Sequence, residues 1–332
     1  MRIGSNPRQG GIALVTALLI VALASLVAVR LFHAQQLQVR SATNQVLAEQ
    51  GLQHFRSAEA WLKEVLRQDA QDNTTDHRSD LWGTEVPIVQ VPQGGFVPRV
   101  EDLQGRINLN NLVTGSAANT TQVDLFQRLL GALNLDPNLA FAVVDWIDPD
   151  GLPSGVYGVE DGEYRLRVPS YRAANRPLTS TEELAAIAGF DTEVRQRLAP
   201  HIAALPAPPS VNAGRHSGPA ATTLINVNTA SEPVLRSLSP VMMTLDLGLL
   251  IEQRDVENGF DTVNAFMTTL DRLYPQTPPV SQSLDSQLLD VASSYFLFQF
   301  DGQVEQVRLR YHSLLYRDGS RQTLTLSRAR GL

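Results

Sequence analysis

The 332-residue chain contains no cysteine, which excludes disulfide bonds, thiolate-ligated zinc and thiol nucleophiles together. Lysine is nearly missing as well: of the 27 Lys and Arg residues only Lys63 is a lysine. The basic residues face 34 acids, giving a formal net charge of −7. A nucleic-acid binder neutralises phosphates with clustered cations, so this balance argues against that class. Spacings that mark common enzyme sites are absent too. No Gly-x-Ser-x-Gly elbow, His-Glu-x-x-His helix or phosphate-binding P-loop occurs. The six histidines (His33, His54, His77, His201, His216 and His312) are scattered, and none has an acid at a suggestive spacing. No enzymatic activity is expected. A hydrophobic content of 43% with 18% charged residues suits a globular protein with a real core, and the length allows two or three domains.

One long apolar run is present. From Ile12 to Val29 only Thr16 and Ser25 carry polar side chains. Eighteen helical residues rise roughly 27 Å, enough to cross the hydrocarbon core of a bilayer. A secretory signal has a shorter apolar region and then changes character at a cleavage site. Here apolar residues recur at helical spacing past Arg30, at Leu31, Ala34, Leu37, Ser41 and Val46, then Phe55, Ala58, Leu62 and Leu66. Only Gly51 interrupts, and no proline does, so one helix is predicted from about Ile12 to about Gln68. Arg2 and Arg8 precede the run without any acid, which favours a cytoplasmic N-terminus. Three readings remain open on these grounds: a cleaved signal, a plain anchor, or a short leader cut after Gly11 so that the apolar helix survives from Ile12.

Residues 69–80, "DAQDNTTDHRSD", end the helix. Alternating stretches follow, with Phe96, Val100, Ile107 and Leu109 suited to strands and Gly105 to a turn. The C-terminal 38 or so residues read as a three-stranded antiparallel meander, with turns expected at Asp301-Gly302 and Asp318-Gly319. Between about Leu112 and Leu289 the texture is helical, and the stretch Pro206 to Thr223 is a Pro/Gly/Ser-rich linker that splits it in two. A helical block between two β-like ends predicts an α+β fold: a long N-terminal helix packed on an antiparallel sheet, with a large all-α insertion.

Two motifs could carry chemistry. "INVNTASEPVLRSL", from Ile225 to Leu238, resembles the entry of a helix-hairpin-helix unit, which grips DNA through backbone N–H groups of a Gly-rich hairpin. The hairpin here lacks Gly-x-Gly, and only Arg236 and Arg254 stand nearby as cations. Asn226 and Asn228 are expected to fix the turn into the helix. "RPLTSTEELAAIAGFDTEVRQRLAPHI" has a similar cadence and reads as a divergent second copy. The other motif is "DWIDPDGLPSGVYGVEDGEYR". Asp148 and Asp150 precede Gly151, and Glu160, Asp161 and Glu163 follow within one loop. Alternate acids with a glycine suit an oxygen-ligated calcium, while a solvated acidic turn explains the same spacing. The absence of His and Cys argues against zinc.

The Gly11-Ile12 junction and the retained apolar helix resemble the type IV pilin and pseudopilin family. The order of "EDLQGRINLNNL", "DWIDPD", "YRAANRPL" and "INVNTA" further resembles one subgroup, the K-type minor pseudopilins of bacterial type II secretion. In most pilin-like proteins the fifth mature residue is glutamate, which pairs with a neighbouring subunit's terminal amine. Thr16 holds that position here, and the subgroup resembles the others except for lacking this acid. A threonine hydroxyl can bond a carbonyl one turn back instead. The resemblance implies a pilin-like fold with a leader over 1–11, a transmembrane part over 12–32 and a first pilin-like part over 33–111. Helical subdomains of helix-hairpin-helix or SAM-like type would follow over 112–221 and 222–288, then C-terminal strands over 289–332. It implies a non-catalytic tip subunit that initiates or caps the periplasmic pseudopilus. Cleavage and N-terminal methylation by a prepilin peptidase are implied, with a single pass through the inner membrane and the bulk in the periplasm. Expected partners are the I- and J-type minor pseudopilins, the major pseudopilin and the inner-membrane assembly platform. Structural Ca2+ would sit among Asp148, Asp150, Glu160, Asp161 and Glu163; this chain's "EDGEYR" departs from the adjacent acids common in the family. The alternative is a membrane-anchored DNA-binding or DNA-uptake protein.

Overall fold

The computed structural model describes residues 10–92, 94–208 and 222–331. Most of the leader, and most of the linker between the two helical stretches, lie outside the described residues. Helix α1 runs from Gly10 to Asp72, 63 residues without a break, or about 95 Å of rise. Its apolar spacing works in two ways. From Ile12 to Val46 every side chain is exposed, so the seam over Leu31–Val46 meets nothing else in the described chain. From Leu47 onward Phe55, Leu62, Val65 and Leu66 turn inward and pack against one face of a five-stranded sheet.

That sheet is antiparallel throughout, in the order Val89–Val91, Gly94–Asp102, Tyr295–Val304, Val307–Arg317 and Thr323–Arg330. Its central strand comes from the C-terminal end and pairs Phe298 with Val100. The last three strands form the expected meander, but the first turn is not at Asp301-Gly302. The strand continues through both residues to Val304, and the chain reverses at Glu305, whose φ is +49°. Gly302 serves close packing instead: a Cβ there would lie 2.8 Å from the Cβ of Phe96. Leu109, expected in a strand, lies in a short 3-10 turn, Leu109–Leu112.

Between strands Gly94–Asp102 and Tyr295–Val304 the described residues build seven helices: α2 Thr120–Ala132, α3 Leu139–Ile147, α4 Asp161–Tyr164, α5 Thr192–Leu198, α6 Glu232–Ser237, α7 Gly248–Val256 and α8 Val263–Leu273. Asn119, Asp191 and Thr262 cap α2, α5 and α8 through side-chain oxygens on backbone N–H groups. The stretch around Thr181–Ala186 is a 3-10 segment and not a full helix. These elements share one core, centred on Phe126, Leu129, Trp146, Tyr164 and Phe266. The insertion is not purely helical. Ile107–Asn108 pairs in parallel with Ile202–Ala203, and Ile225–Asn226 with Leu289–Asp290.

Each of these short pairs begins with Ile-Asn-x-Asn, and the asparagines act alike. Asn110 accepts from the N–H of Leu178 and donates to its carbonyl, at 2.8 and 2.9 Å. Asn228 does the same with Phe260, at 2.7 and 3.0 Å. Asn108 and Asn226 each accept the N–H two residues on. Side-chain amides replace the missing strand neighbours, so buried backbone groups stay paired. Asn226 also reaches Ser293 and the carbonyl of Asp76, tying the second helical half to the sheet.

A polar contact joins α1 to the sheet edge. Glu59 is 2% exposed and accepts from Thr325 at 2.7 Å and from both arms of Arg328 at 2.8 Å, with Lys63 at 3.3 Å. Burial works against its charge, but the hydrogen bonds from Arg328 and Thr325 outweigh it, and the carboxyl falls from 4.5 to about 2. A depressed acid stabilises the fold above its unfolded value and loses that contribution as pH falls toward the folded one. Replacing Glu59 by Ala should cost about 2–3 kcal/mol near neutral pH. In denaturant titrations the gap between the two proteins should close as pH drops from about 5 to about 2.

Candidate functional site

The acidic loop grows out of α3. That helix is apolar on nearly every side, so its last turn is buried, and it carries Asp145 into the interior with no exposure. The chain leaves at Asp148, loops through Gly151 and Gly155, and returns to α4, with Glu160 just ahead of its first residue. Asp148, Asp150 and Glu160 each place one carboxylate oxygen within 4.8 Å of the other two. Asp148 and Glu160 are 5% and 8% exposed. One oxygen of Asp148 and both of Glu160 are buried with no hydrogen-bond partner among the described residues. Burial, then the charges of Asp150 and Asp145, push the Asp148 carboxyl up to about 6. Burial, then Asp145 and Asp148, push Glu160 up to about 7.

The remaining acids of the loop have other occupations. Asp161 is bonded by Arg165 at 2.8 Å and by the N–H of Ala173 at 3.0 Å, with Arg172 at 3.8 Å. It therefore holds "YRAANRP" against the loop. Glu163 is exposed and lies outside the group of three. Asp145, which the spacing of acids did not single out, is the fourth charge of the site. It accepts from the N–H of Ser154 at 2.9 Å, and burial raises its carboxyl first among several causes. Its signal was the Asp145–Asp148 spacing across a helix end, where both acids can face one point. Gly158 makes room for it: a Cβ there would stand 2.3 Å from Asp145 Oδ2. Asn175, at φ +46°, fixes the outer rim by donating to the carbonyls of Trp146 and Asp150. Beneath, Tyr164 meets Trp146 edge-on at 5.2 Å and stacks on Tyr171 at 5.4 Å.

Carboxylate oxygens buried without donors are costly; a proton neutralises them at lower pH, and a hard divalent cation is the group that would satisfy them while they stay ionised. The donor set is all oxygen, which suits Ca2+ and not zinc.

The other candidate residues lie at the far end of the molecule. α1 supplies a segment near the N-terminus long and apolar enough to cross a membrane, exposed along that whole stretch, which is compatible with a single-pass anchor. Thr16 Oγ1 lies 3.0 Å from the carbonyls of Ile12 and Ala13, one turn back. Gly11 and Ile12 are within the helix at its N-terminal end. Near the hairpin of the second helical half, Arg254 is 4% exposed and bonds the carbonyl of Ala230, while Arg236 bonds that of Met243. Both cations that a DNA backbone would need are thus engaged internally.

Two family models, both described as type II secretion system (T2SS), protein K, match residues 105–207 and 225–288. Curated relatives named type II secretion system protein K include one from Pseudomonas aeruginosa, 33% identical over 303 residues, covering 87% of this chain and 85% of the relative. One from Aeromonas hydrophila is 29% identical and covers 98% of both. Among solved structures, a chain of the GspK-GspI-GspJ complex from the enterotoxigenic Escherichia coli type 2 secretion system superposes with a TM-score of 0.70. That likeness covers 88% of this chain and 99% of the other at 24% identity.

The raised acids give a pH signature. A carboxyl whose folded value lies above its unfolded value stabilises the fold at low pH and loses that contribution as pH rises through the folded value. With chelator present, the melting temperature should therefore fall as pH is raised from about 5 to about 8, by on the order of 1–3 kcal/mol of stability. Added Ca2+ should restore it at the upper end, and Asp148→Ala with Asp150→Ala should abolish the response to calcium. A flat profile with and without chelator would discard the site.

Proposed function

Because the chain belongs to the type II secretion system protein K family, the K-type minor pseudopilins, we propose that it is the tip subunit of the periplasmic pseudopilus. The single observation that carries this is the placement of a bulky helical insertion on a pilin-like domain with a bare stem. Helix α1 supplies an exposed stem from Ile12 to Val46, apolar as far as Phe32 apart from Thr16, Ser25 and Arg30, the form a subunit needs to pack among other stems. The insertion occupies the chain between Asp102 and Tyr295, more than half of its length. A subunit so loaded obstructs addition of another above it, and only the end of a filament tolerates that.

Thr16 supports the same place. A subunit with no neighbour ahead has no terminal amine to meet, and an unpaired carboxylate in the bilayer costs several kcal/mol. A threonine that returns its hydroxyl to its own helix leaves nothing unpaired. In this reading a prepilin peptidase cuts after Gly11, Ile12 becomes the methylated N-terminus, and the folded part lies in the periplasm of the inner membrane. The I- and J-type minor pseudopilins are its neighbours, on the analogy of the Escherichia coli complex, and the major pseudopilin continues the filament below. The role is mechanical, not catalytic. Ca2+ held by Asp148, Asp150 and Glu160, with Asp145 behind them, supplies charge neutralisation that stiffens the loop between α3 and α4.

Expressed with a prepilin peptidase and the I- and J-type subunits of its own system, the mature chain should begin at Ile12 on N-terminal sequencing and co-purify with both partners from detergent. Gly11→Leu should leave the leader in place. An intact Met1 in the wild type, or purification without either partner, would overturn the reading.

A further inference from the structure

A second group of acids lies in the pilin-like half, far along the chain from the loop after α3. Asp69 stands in the last turn of α1, and Asp76 and Asp80 in the segment that follows. Each places one carboxylate oxygen within 4.8 Å of the other two. Their side chains are 8%, 1% and 6% exposed. One guanidinium opposes them. Arg317, 8% exposed, lies 3.1 Å from Asp69 Oδ2 and bonds Asp76 Oδ2 with its other arm. Among the described residues, three buried carboxylates face one permanent cation, Arg317, with the ring of His77 against Asp80 as the other contact, so with a neutral His77 the group carries negative charge in excess.

Hydrogen bonds account for the outer oxygens. Asp69 Oδ1 accepts from Asn73 at 3.3 Å, and Asp76 Oδ2 accepts the N–H of Ser293 at 2.7 Å. Asp80 Oδ2 accepts the N–H of His77 at 2.8 Å, and its Oδ1 lies 3.1 Å from His77 Nε2. One oxygen is left over. Asp76 Oδ1 is buried and has no hydrogen-bond partner among the described residues. Burial raises all three carboxyls, and each is raised further by another of the three. An orphaned carboxylate oxygen inside a group with excess negative charge is what a cation would satisfy.

We propose that Asp69, Asp76 and Asp80 form a second binding site for a hard divalent cation of the Ca2+ type, with Arg317 on its opposite edge. All donors offered are oxygens, and carboxylates from three positions suit such an ion. The site sits where the two halves of the molecule meet. The carbonyl of Asp76 accepts from Asn226, and its carboxylate holds Ser293 just before the central strand. An ion here fixes the end of α1, the following segment and the strand carrying Arg317 to one another, and through Asp76 fixes the base of the second helical half.

Tryptophan gives a local probe. The indole N–H of Trp82 faces Asp80 without reaching hydrogen-bond geometry, whereas Trp146 lies in the last turn of α3, beside the other acidic loop. Tb3+ added to the full chain in detergent should give tryptophan-sensitised emission that Ca2+ displaces. In the Asp148→Asn, Asp150→Asn protein that emission should persist, be lost with Trp82→Phe and be unchanged by Trp146→Phe. Asp80→Asn keeps both pairs of Arg317 and so should keep the fold, while weakening Ca2+ displacement at least tenfold. Loss of all displaceable emission in the Asp148→Asn, Asp150→Asn protein would overturn the site. So would emission that survives both Trp82→Phe and Asp80→Asn.

Discussion

Phe55 packs among Phe298, Phe300 and Tyr311, at ring distances of 5.6, 5.9 and 5.1 Å, and the rest of the molecule is built outward from that contact. It lies on the one helix that has to serve two surroundings. From Ile12 to Val46 it is exposed, predominantly apolar as far as Phe32 and mostly polar beyond, and the turns after Leu47 form half of a protein core. A helix of this length gains little from propensity alone and needs a packed face to fix its position. The aromatic cluster supplies that face, and because the helix is unbroken, whatever is done to the stem is transmitted rigidly to the sheet. Glu59, one turn after Phe55, adds a directional element: its bonds to Thr325 and Arg328 set the rotation of the helix against the sheet edge.

The sheet in turn sets how the insertion is carried. Its second and third strands, Gly94–Asp102 and Tyr295–Val304, are neighbours in space although nearly 200 residues separate them, so the insertion leaves and re-enters at one end of the sheet. Both helical halves close by the same device, a two-residue parallel pair opened by Ile-Asn-x-Asn. Parallel pairs this short have little stability of their own. The asparagine side chains, bonding both groups of one distant peptide unit, complete them. That explains why the two motifs are so alike over a few residues while the helices between them differ in number and length.

Much of this was legible. The long helix, the C-terminal meander and the helical block follow from periodicity, and the order of short motifs pointed to the family. What escaped were features decided by contact. Asp301-Gly302 has turn chemistry, but Phe96 needs the space above Gly302, so packing overrode the turn. α8 was not singled out although it was legible: Val263, Phe266, Met267, Leu270 and Leu273 recur at helical spacing behind the Thr262 cap. In the acidic loop the residue types were visible and their partners were not. Nothing local separates Asp161, which is bonded by Arg165 and Ala173, from Glu160, whose oxygens are left without donors. Asn226 and Asn228 were read as turn residues for their helix, and the reach of Asn228 to Phe260, like that of Asn110 to Leu178, lies in no local pattern.

The two acidic groups share a cause that the sequence does contain. Both lie where a helix ends: Asp69 in the last turn of the long α1, Asp145 in the last turn of the nine-residue α3 with Asp148 just beyond it. A helix C-terminus carries partial negative charge and favours cations, and neither of these helices has a basic residue in its last turn. Acids at such positions are disfavoured twice, by the helix and by one another, and burial disfavours them a third time. Natural sequences keep such conflicts only where something outside the chain relieves them. At α1 the relief within the chain is partial, a single arginine for three carboxylates. At α3 no cation among the described residues bonds Asp148 or Glu160, so within that set their charges are left unrelieved. The two sites therefore differ in what an empty state costs: the junction below the insertion keeps Arg317 as a clasp, while the loop after α3 is left with its charges facing each other.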